Sequence, residues 1–273
     1  MFFIKTWPEE KITGKQKRIF NLVGRTLAHV LTLGSRTMIY GLENRVGRGA
    51  NAIFCTHGSE ERDAAMIARG YTKKQQTTKN EIEDYDGRRQ VFFATNQELY
   101  RLDEFKKLAE KTVKRRWGPE GMDYKILGLI RRGKLIEPLA KIVTPNIKGM
   151  GCIPINIRGG DNSQGMKMIK EYLLDQRVVA LIQYYSKDQH QSNTPLFRIK
   201  PGGLLILYCL YKENKLNVPI TLMTVKKSGD DLIGNIGAPN YISEFYVQGN
   251  LRETIHGAQE CLEGKLEKLY HQY

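Results

Sequence analysis

The chain has 273 residues, with 43 Lys plus Arg against 29 Asp plus Glu and a formal charge of +14, so one large α/β domain or two small ones can bury a core without staples. An apolar content of 41% argues against both a disordered tail protein and a many-span membrane protein. The excess of positive charge asks for an anionic partner: nucleic acid, an anionic membrane surface, or an acidic or phosphorylated substrate. The four cysteines (Cys55, Cys152, Cys209, Cys261) form no CxxC pair and no zinc-type spacing, which suits a reducing compartment.

The first residues, MFFIKTWPEEK, put a short apolar run ahead of acidic residues and a proline, the wrong order for a secretory leader. No apolar run approaches the ~20 residues of a spanning helix. Over 15–34, Ile19, Leu22, Val23, Leu27, Val30 and Leu31 recur at three- and four-residue steps, which predicts an amphipathic helix. Lys15, Lys17, Arg18 and Arg25 stand near its start. Such a helix lies on the domain core or rests in a lipid interface. Residues 1–36 are therefore expected to form an N-terminal amphipathic helical segment, and 37–273 an α/β domain with an insertion within about 66–148.

A short strand is predicted at 38–40, then a glycine turn, a strand over 52–55 and a helix starting near Ser59. Ser59 suits the cap of that helix, and Glu60, Glu61 and Asp63 suit the positive end of its dipole. His57 falls in the turn between strand and helix, where α/β proteins expose reactive side chains. Residues 71–90 are polar and read as a surface excursion, and 91–95 (VFFAT) as a buried strand. The mixed stretch 98–148 is interrupted by Pro138 and Pro145, and its apolar patches are flanked by Arg115, Arg116, Arg131, Arg132 and Lys134. Strands follow at 151–158, 178–185 and 217–225, with a helix of about twelve residues within 161–175, a helix over 202–211 and a charged helix from Leu251. This alternation predicts a mostly parallel sheet with helices on both faces.

Four of these pieces occur in an order that resembles the lysophospholipid acyltransferase family. Gly41-Leu42-Glu43-Asn44 is similar to that family's G-x-E-N turn, and the strand ending before His57 and Ser59 to its first block. Gly151, Ile153, Ile155, Ile157 and Arg158 are similar to its second block, Phe197 to Gly202 to its F-K-x-G turn, and Val218-Pro219 to its last strand. The sequence departs from the pattern twice. Asp63 lies six residues after His57, with Arg62 in the family's acid position, and Gln183-Tyr184-Tyr185-Ser186-Lys187 replaces P-E-G-T-R. One residue of helix is a rotation of about 100°. Either the loop bulges to bring Asp63 into place, or Glu61 or Glu60 takes its role.

The resemblance implies a glycerolipid acyltransferase-like α/β fold and transfer of a fatty acyl chain from a thioester to an alcohol, with His57 as general base. Asp63 or Glu61 would orient it, with Ser59, Arg158, Lys187 and Lys200 toward the acceptor. It implies acyl-CoA or acyl carrier protein as donor, an anionic lipid acceptor, a peripheral position on the cytoplasmic face of a membrane, and no cofactor, metal or nucleic acid. The altered blocks leave open a different polar lipid alcohol as acceptor, or a family member that binds lipid without turnover. A Cys55–His57 nucleophile pair is disfavoured because a buried cysteine is common. His190 lies in a polar stretch.

Overall fold

The computed structural model describes residues 32, 35–56, 61–72, 90–96, 103, 106–107, 141, 152–156, 160–182 and 197–272. The expected helix over 15–34, the stretch 98–148 and the polar run before Gln90 lie largely or wholly outside these residues, as do His57, Ser59, Arg158, Lys187 and His190.

The strands are β1 (Arg36–Tyr40), β2 (Asn51–Cys55), β3 (Val91–Asn96), β4 (Cys152–Ile155), β5 (Val178–Ile182), β6 (Pro219–Ser228), β7 (Asp231–Ile236) and β8 (Asn240–Tyr241). Among the described residues the helices with both ends placed are α1 (Glu61–Thr72), α2 (Ser163–Leu174), α3 (Pro201–Asn214) and α4 (Leu251–His271). All eight strands form one sheet in the order β1-β7-β6-β2-β5-β3-β4, with β8 paired to β6. Among the described residues, only β6–β7 and β6–β8 are antiparallel; the pairings around β2, β3, β5 and the β1 edge are parallel. The fold is thus a mostly parallel α/β sheet flanked by helices, as the alternation of elements predicts.

Every residue of β2 is buried, because it is a central strand covered on both sides. Successive side chains divide between two cores. Ala52 and Phe54 pack with Phe92, Val179, Leu181 and Leu222 under α2, α3 and α4. Ile53 and Cys55 pack with Phe93, Ala180, Met223 and Val225 under α1. Helix α1 presents Asp63, Met66, Ile67, Gly70 and Tyr71 to the sheet, all buried, at the steps of a single helix face.

Residue 71, where a polar excursion is expected to start, instead belongs to α1. Tyr71 is 1% exposed, and its hydroxyl accepts a hydrogen bond from Asn51 Nδ2 at 2.8 Å. The Thr221 hydroxyl donates to Asn51 Oδ1 at 3.0 Å, so one amide ties β2 to both α1 and β6. Arg45 Nη1 donates to the Gly70 carbonyl at 2.6 Å, filling a carbonyl that the end of α1 leaves open.

The strand β7 is absent from the sequence reading. Its short run, DLIGNI, holds Asp, Gly and Asn and lacks a β-branched stretch, so pattern alone passes over it. The Ser228–Asp231 hairpin, with Gly229 at φ +58°, is the signal that finds it. The turn at 41–44 also has a structural reason. Gly41 sits at φ 71°, and a Cβ there would stand 2.0 Å from the Ile236 carbonyl oxygen. Asn44 Nδ2 donates to that same oxygen at 2.9 Å.

Replacing Asn51 by Ala removes a partner from both the Tyr71 and Thr221 hydroxyls inside the core. The expected loss is about 2–4 kcal/mol of stability by urea unfolding, against about 1 kcal/mol for Tyr71→Phe. A loss under 0.5 kcal/mol for Asn51→Ala contradicts the network's role.

Candidate active site at the carboxyl end of β2

At its carboxyl end β2 is tied to its neighbour by one residue. Thr56, fully buried, donates its N–H to the Met223 carbonyl at 3.1 Å, and its hydroxyl accepts from the Val225 N–H at 3.3 Å. The next described element is α1, which starts at Glu61. Both flanks of the 57–60 connection are therefore fixed to the core.

Asp63 is the third residue of α1 and has no exposed surface. An ionised carboxylate in such a place is costly unless partnered, and the first turn of a helix supplies favourable N–H groups and dipole. Its charge is felt on two other elements. Burial, and secondly the Asp63 carboxylate, push the Cys55 thiol well above its ordinary range, although its hydrogen bond at Thr56 opposes this. Tyr270, on the last turn of α4, is raised by burial and then by the same carboxylate. The field of Asp63 thus reaches β2 below it and the end of α4 across the carboxyl edge of the sheet.

Helix α3 starts at the same edge. An added Cβ on Gly203 would meet Leu181 Cδ1 at 2.7 Å and Phe54 Cζ at 2.9 Å, so glycine allows its first turn to seat against the ends of β5 and β2. Pro201 occupies its first turn, which suits a proline because no N–H is lost there. Lys200 is the residue before the helix and is exposed. The strand-like segment leading to it is held by α4: the Ile199 N–H donates to Glu263 Oε1 at 2.7 Å, and Gln259 Nε2 donates to the Ile199 carbonyl at 2.6 Å. Phe197 packs on Tyr270 with ring centroids 5.2 Å apart. Lys226 Nζ stands 5.5 Å from the Tyr270 ring centroid and donates to the Tyr270 carbonyl at 3.2 Å.

Of the residues singled out in the sequence, Asp63 and Lys200 are described with their side chains. Glu61 is described as the first residue of α1, without its side chain. His57, Ser59, Arg158 and Lys187 lie outside the described residues. The flanks of Arg158 are held together: Asn162 Oδ1 accepts from the Asn156 N–H at 2.6 Å, and its Nδ2 donates to the Asn156 carbonyl at 3.1 Å. The sequence reading passes over Thr56 and Tyr270. Thr56 was visible as the residue next to His57, whereas Tyr270 lies 207 residues beyond Asp63 and no spacing links them. Among the described residues, no three His, Cys, Asp or Glu side chains gather as a metal ion would need, and no helix is long and apolar enough to cross a membrane.

No protein-family model matches the chain, and no curated protein matches it. Among solved structures it is similar to the crystal structure of the 1-acyl-sn-glycerophosphate (LPA) acyltransferase PlsC from Thermotoga maritima, at 12% identity and a TM-score of 0.46. That likeness covers 92% of this chain and 81% of the other. At such identity and score it carries no weight for the site.

The thiols give a direct check on the local environment. Burial raises Cys152 to about 12, and Cys55 is raised by burial and by Asp63, so both stay protonated at pH 8. Iodoacetamide on the native chain at pH 8 is expected to label the exposed Cys261 and to leave Cys55 and Cys152 unmodified until denaturant is added. Labelling of Cys55 at the Cys261 rate contradicts its placement. The clamp on Ile199 has its own test: the Gln259→Ala, Glu263→Ala pair is expected to lower stability by about 1–3 kcal/mol in thermal or urea unfolding.

Proposed function

We propose that the protein is an O-acyltransferase that moves a fatty acyl chain from a thioester donor to the hydroxyl of a lysophospholipid or glycerol phosphate at a membrane surface. His57 takes the hydroxyl proton as the oxygen attacks the thioester carbonyl. The tetrahedral oxyanion is met by N–H groups at the start of α1. It collapses to the ester, and the departing thiolate recovers the proton from the imidazolium. No acyl-enzyme forms. The carboxylate of Asp63 holds the imidazole in the required tautomer and balances its charge, with Glu61 as the other acid near the turn. Arg158, Lys187 and Lys200 supply cations for the acceptor's phosphate, and Ser59 lies beside the acceptor.

The observation that carries this reading is Asp63: a carboxylate with no exposed surface, on the helix that follows His57, turned toward the end of the strand that precedes it. Helices here bury apolar residues on that face, and an acid there needs a reason beyond packing. Acyl-CoA or acyl carrier protein is the donor in this reading. The +14 charge fits an acidic carrier and an anionic lipid surface at the cytoplasmic face. The second residue pattern, with Lys187 where the resembled family has arginine, favours a wider range of acceptor heads, since Lys is a point charge without a fork.

The test is purified full-length protein with acyl-CoA and acyl carrier donors and a panel of lysophospholipid, glycerol phosphate and neutral lipid alcohol acceptors. Turnover is expected with a phosphate-bearing acceptor. His57→Ala and Asp63→Asn are each expected to lower kcat by roughly 10²–10⁴-fold, with unfolding midpoints near that of the unsubstituted chain. Undiminished turnover in either variant contradicts the assignment. Lipid binding without turnover across the whole panel replaces it with a binding protein.

A further inference from the structure

The proposed reaction leaves Tyr270 without a task, yet its place on α4 asks for one. Thr254, Ala258, Leu262 and Leu266 recur at four-residue steps and are buried, and the next position of that row is 270. The row lies over the sheet, where Leu262 and Leu266 share a core with Leu222 of β6. At 270 the chain places a half-buried tyrosine. Its ring serves the packing as leucine or phenylalanine would; the hydroxyl adds nothing to it. Among the described residues no group bonds that hydroxyl.

Strand pairing fixes where this phenol stands relative to the 57–60 connection. Cys55 pairs with Met223 in the parallel register of β2 and β6, and the Val225 N–H donates to the Thr56 hydroxyl at 3.3 Å. Lys226 is the next residue of β6. Its side chain falls on the face that carries Ile220 and Leu222, since alternate strand residues share a face, and that is the α4 side. There its Nζ donates to the Tyr270 carbonyl at 3.2 Å and stands 5.5 Å from the ring centroid. An ammonium suits the carbonyl end of a helix, so Lys226 ties the last turn of α4 to the point where β2 ends. Phe197, with ring centroids 5.2 Å apart, supports the phenol from the segment that leads into α3, and the His271 ring stands edge-on at 5.4 Å. Asp63 of α1 is within electrostatic reach: burial first, and then that carboxylate, raise the phenol above its ordinary range. Three elements thus hold a protonated hydroxyl beside the start of the 57–60 connection.

We propose that, in the acyl transfer on which this role rests, the Tyr270 hydroxyl donates a hydrogen bond to the thioester carbonyl oxygen as that oxygen gains charge, alongside the N–H groups at the start of α1. A donor lowers the barrier when it is held in place beforehand and meets charge that develops only in the transition state. The Lys226 tie and the Phe197 contact hold this one. A neutral phenol shares the site with Asp63 because it brings no charge to be desolvated, whereas the Lys226 ammonium is engaged at the helix end. No bond to Tyr270 forms or breaks. The phenol keeps its proton, and the proton that moves is the one His57 takes and the thiolate recovers.

The test uses full-length protein with decanoyl-CoA and decanoyl carrier protein as donors and the acceptor panel above. Tyr270→Phe is expected to lower kcat roughly 10²-fold, the cost of one oxyanion donor, with KM for both substrates and the unfolding midpoint near those of the unsubstituted chain. A difluorinated tyrosine placed at 270 separates donation from packing, because fluorine lowers the pH at which the phenol ionises. With it, kcat is expected to be near normal at about pH 6 and to fall to the Tyr270→Phe level by about pH 9, where an ordinary tyrosine still holds its proton. Equal turnover by Tyr270→Phe overturns this role alone. So does a raised KM with kcat unchanged, a kcat loss that tracks a lowered unfolding midpoint, or a fluorinated protein whose pH profile overlays the unsubstituted one. No turnover by the unsubstituted chain with either donor overturns this role together with the reaction it serves.

Discussion

A carboxylate without water must be held by the groups around it, and Asp63 imposes that condition where the sheet and two helices meet. It is the third residue of α1, on the helix face that Met66, Ile67 and Tyr71 also bury. An apolar residue there would satisfy packing alone. Instead the chain keeps a carboxyl group within electrostatic reach of the Cys55 thiol and the Tyr270 phenol, both raised first by burial and then by Asp63. Everything else in the neighbourhood serves to fix that spot. Thr56 ties the end of β2 to β6, Arg45 and Asn51 tie the far end of α1 to the sheet, and Gly203 lets α3 close on Phe54.

Much of the architecture was legible in the sequence because central strands of a parallel sheet are apolar throughout. VVALI at 178–182 and VFFAT at 91–95 need no partner to be recognised, and both are buried. The helices over Ser163–Leu174 and Leu251–His271 carry their periodicity openly. Strand β7 was not legible, since its identity depends on β1 and β6 pairing on either side of it. The extent of α1 was hidden for a similar reason. Tyr71 reads as the start of a polar run until Asn51, twenty residues earlier, is placed against its hydroxyl.

The site was legible in part. A histidine after a strand and an acid on the next helix are visible at once. Counting residues alone left Asp63, Glu61 and Glu60 as alternatives, because a rotation of about 100° separates neighbouring helical positions. Asp63 is buried on the face of α1 that meets the sheet, whereas the Glu60 and Glu61 side chains lie outside the described residues. Tyr270, Lys226 and Phe197 reach the same edge from elements far apart in the chain, and no local pattern announces them.

The central claim is that Asp63 acts on His57. Its most direct measurement is the NMR titration of the His57 imidazole in the unsubstituted chain and in Asp63→Asn. A neighbouring carboxylate favours the imidazolium, so the account predicts that the His57 pKa falls by about one unit or more when the charge is removed, with a change in the ring-nitrogen shifts that report the tautomer. An unchanged titration and unchanged tautomer in a folded Asp63→Asn protein would contradict it.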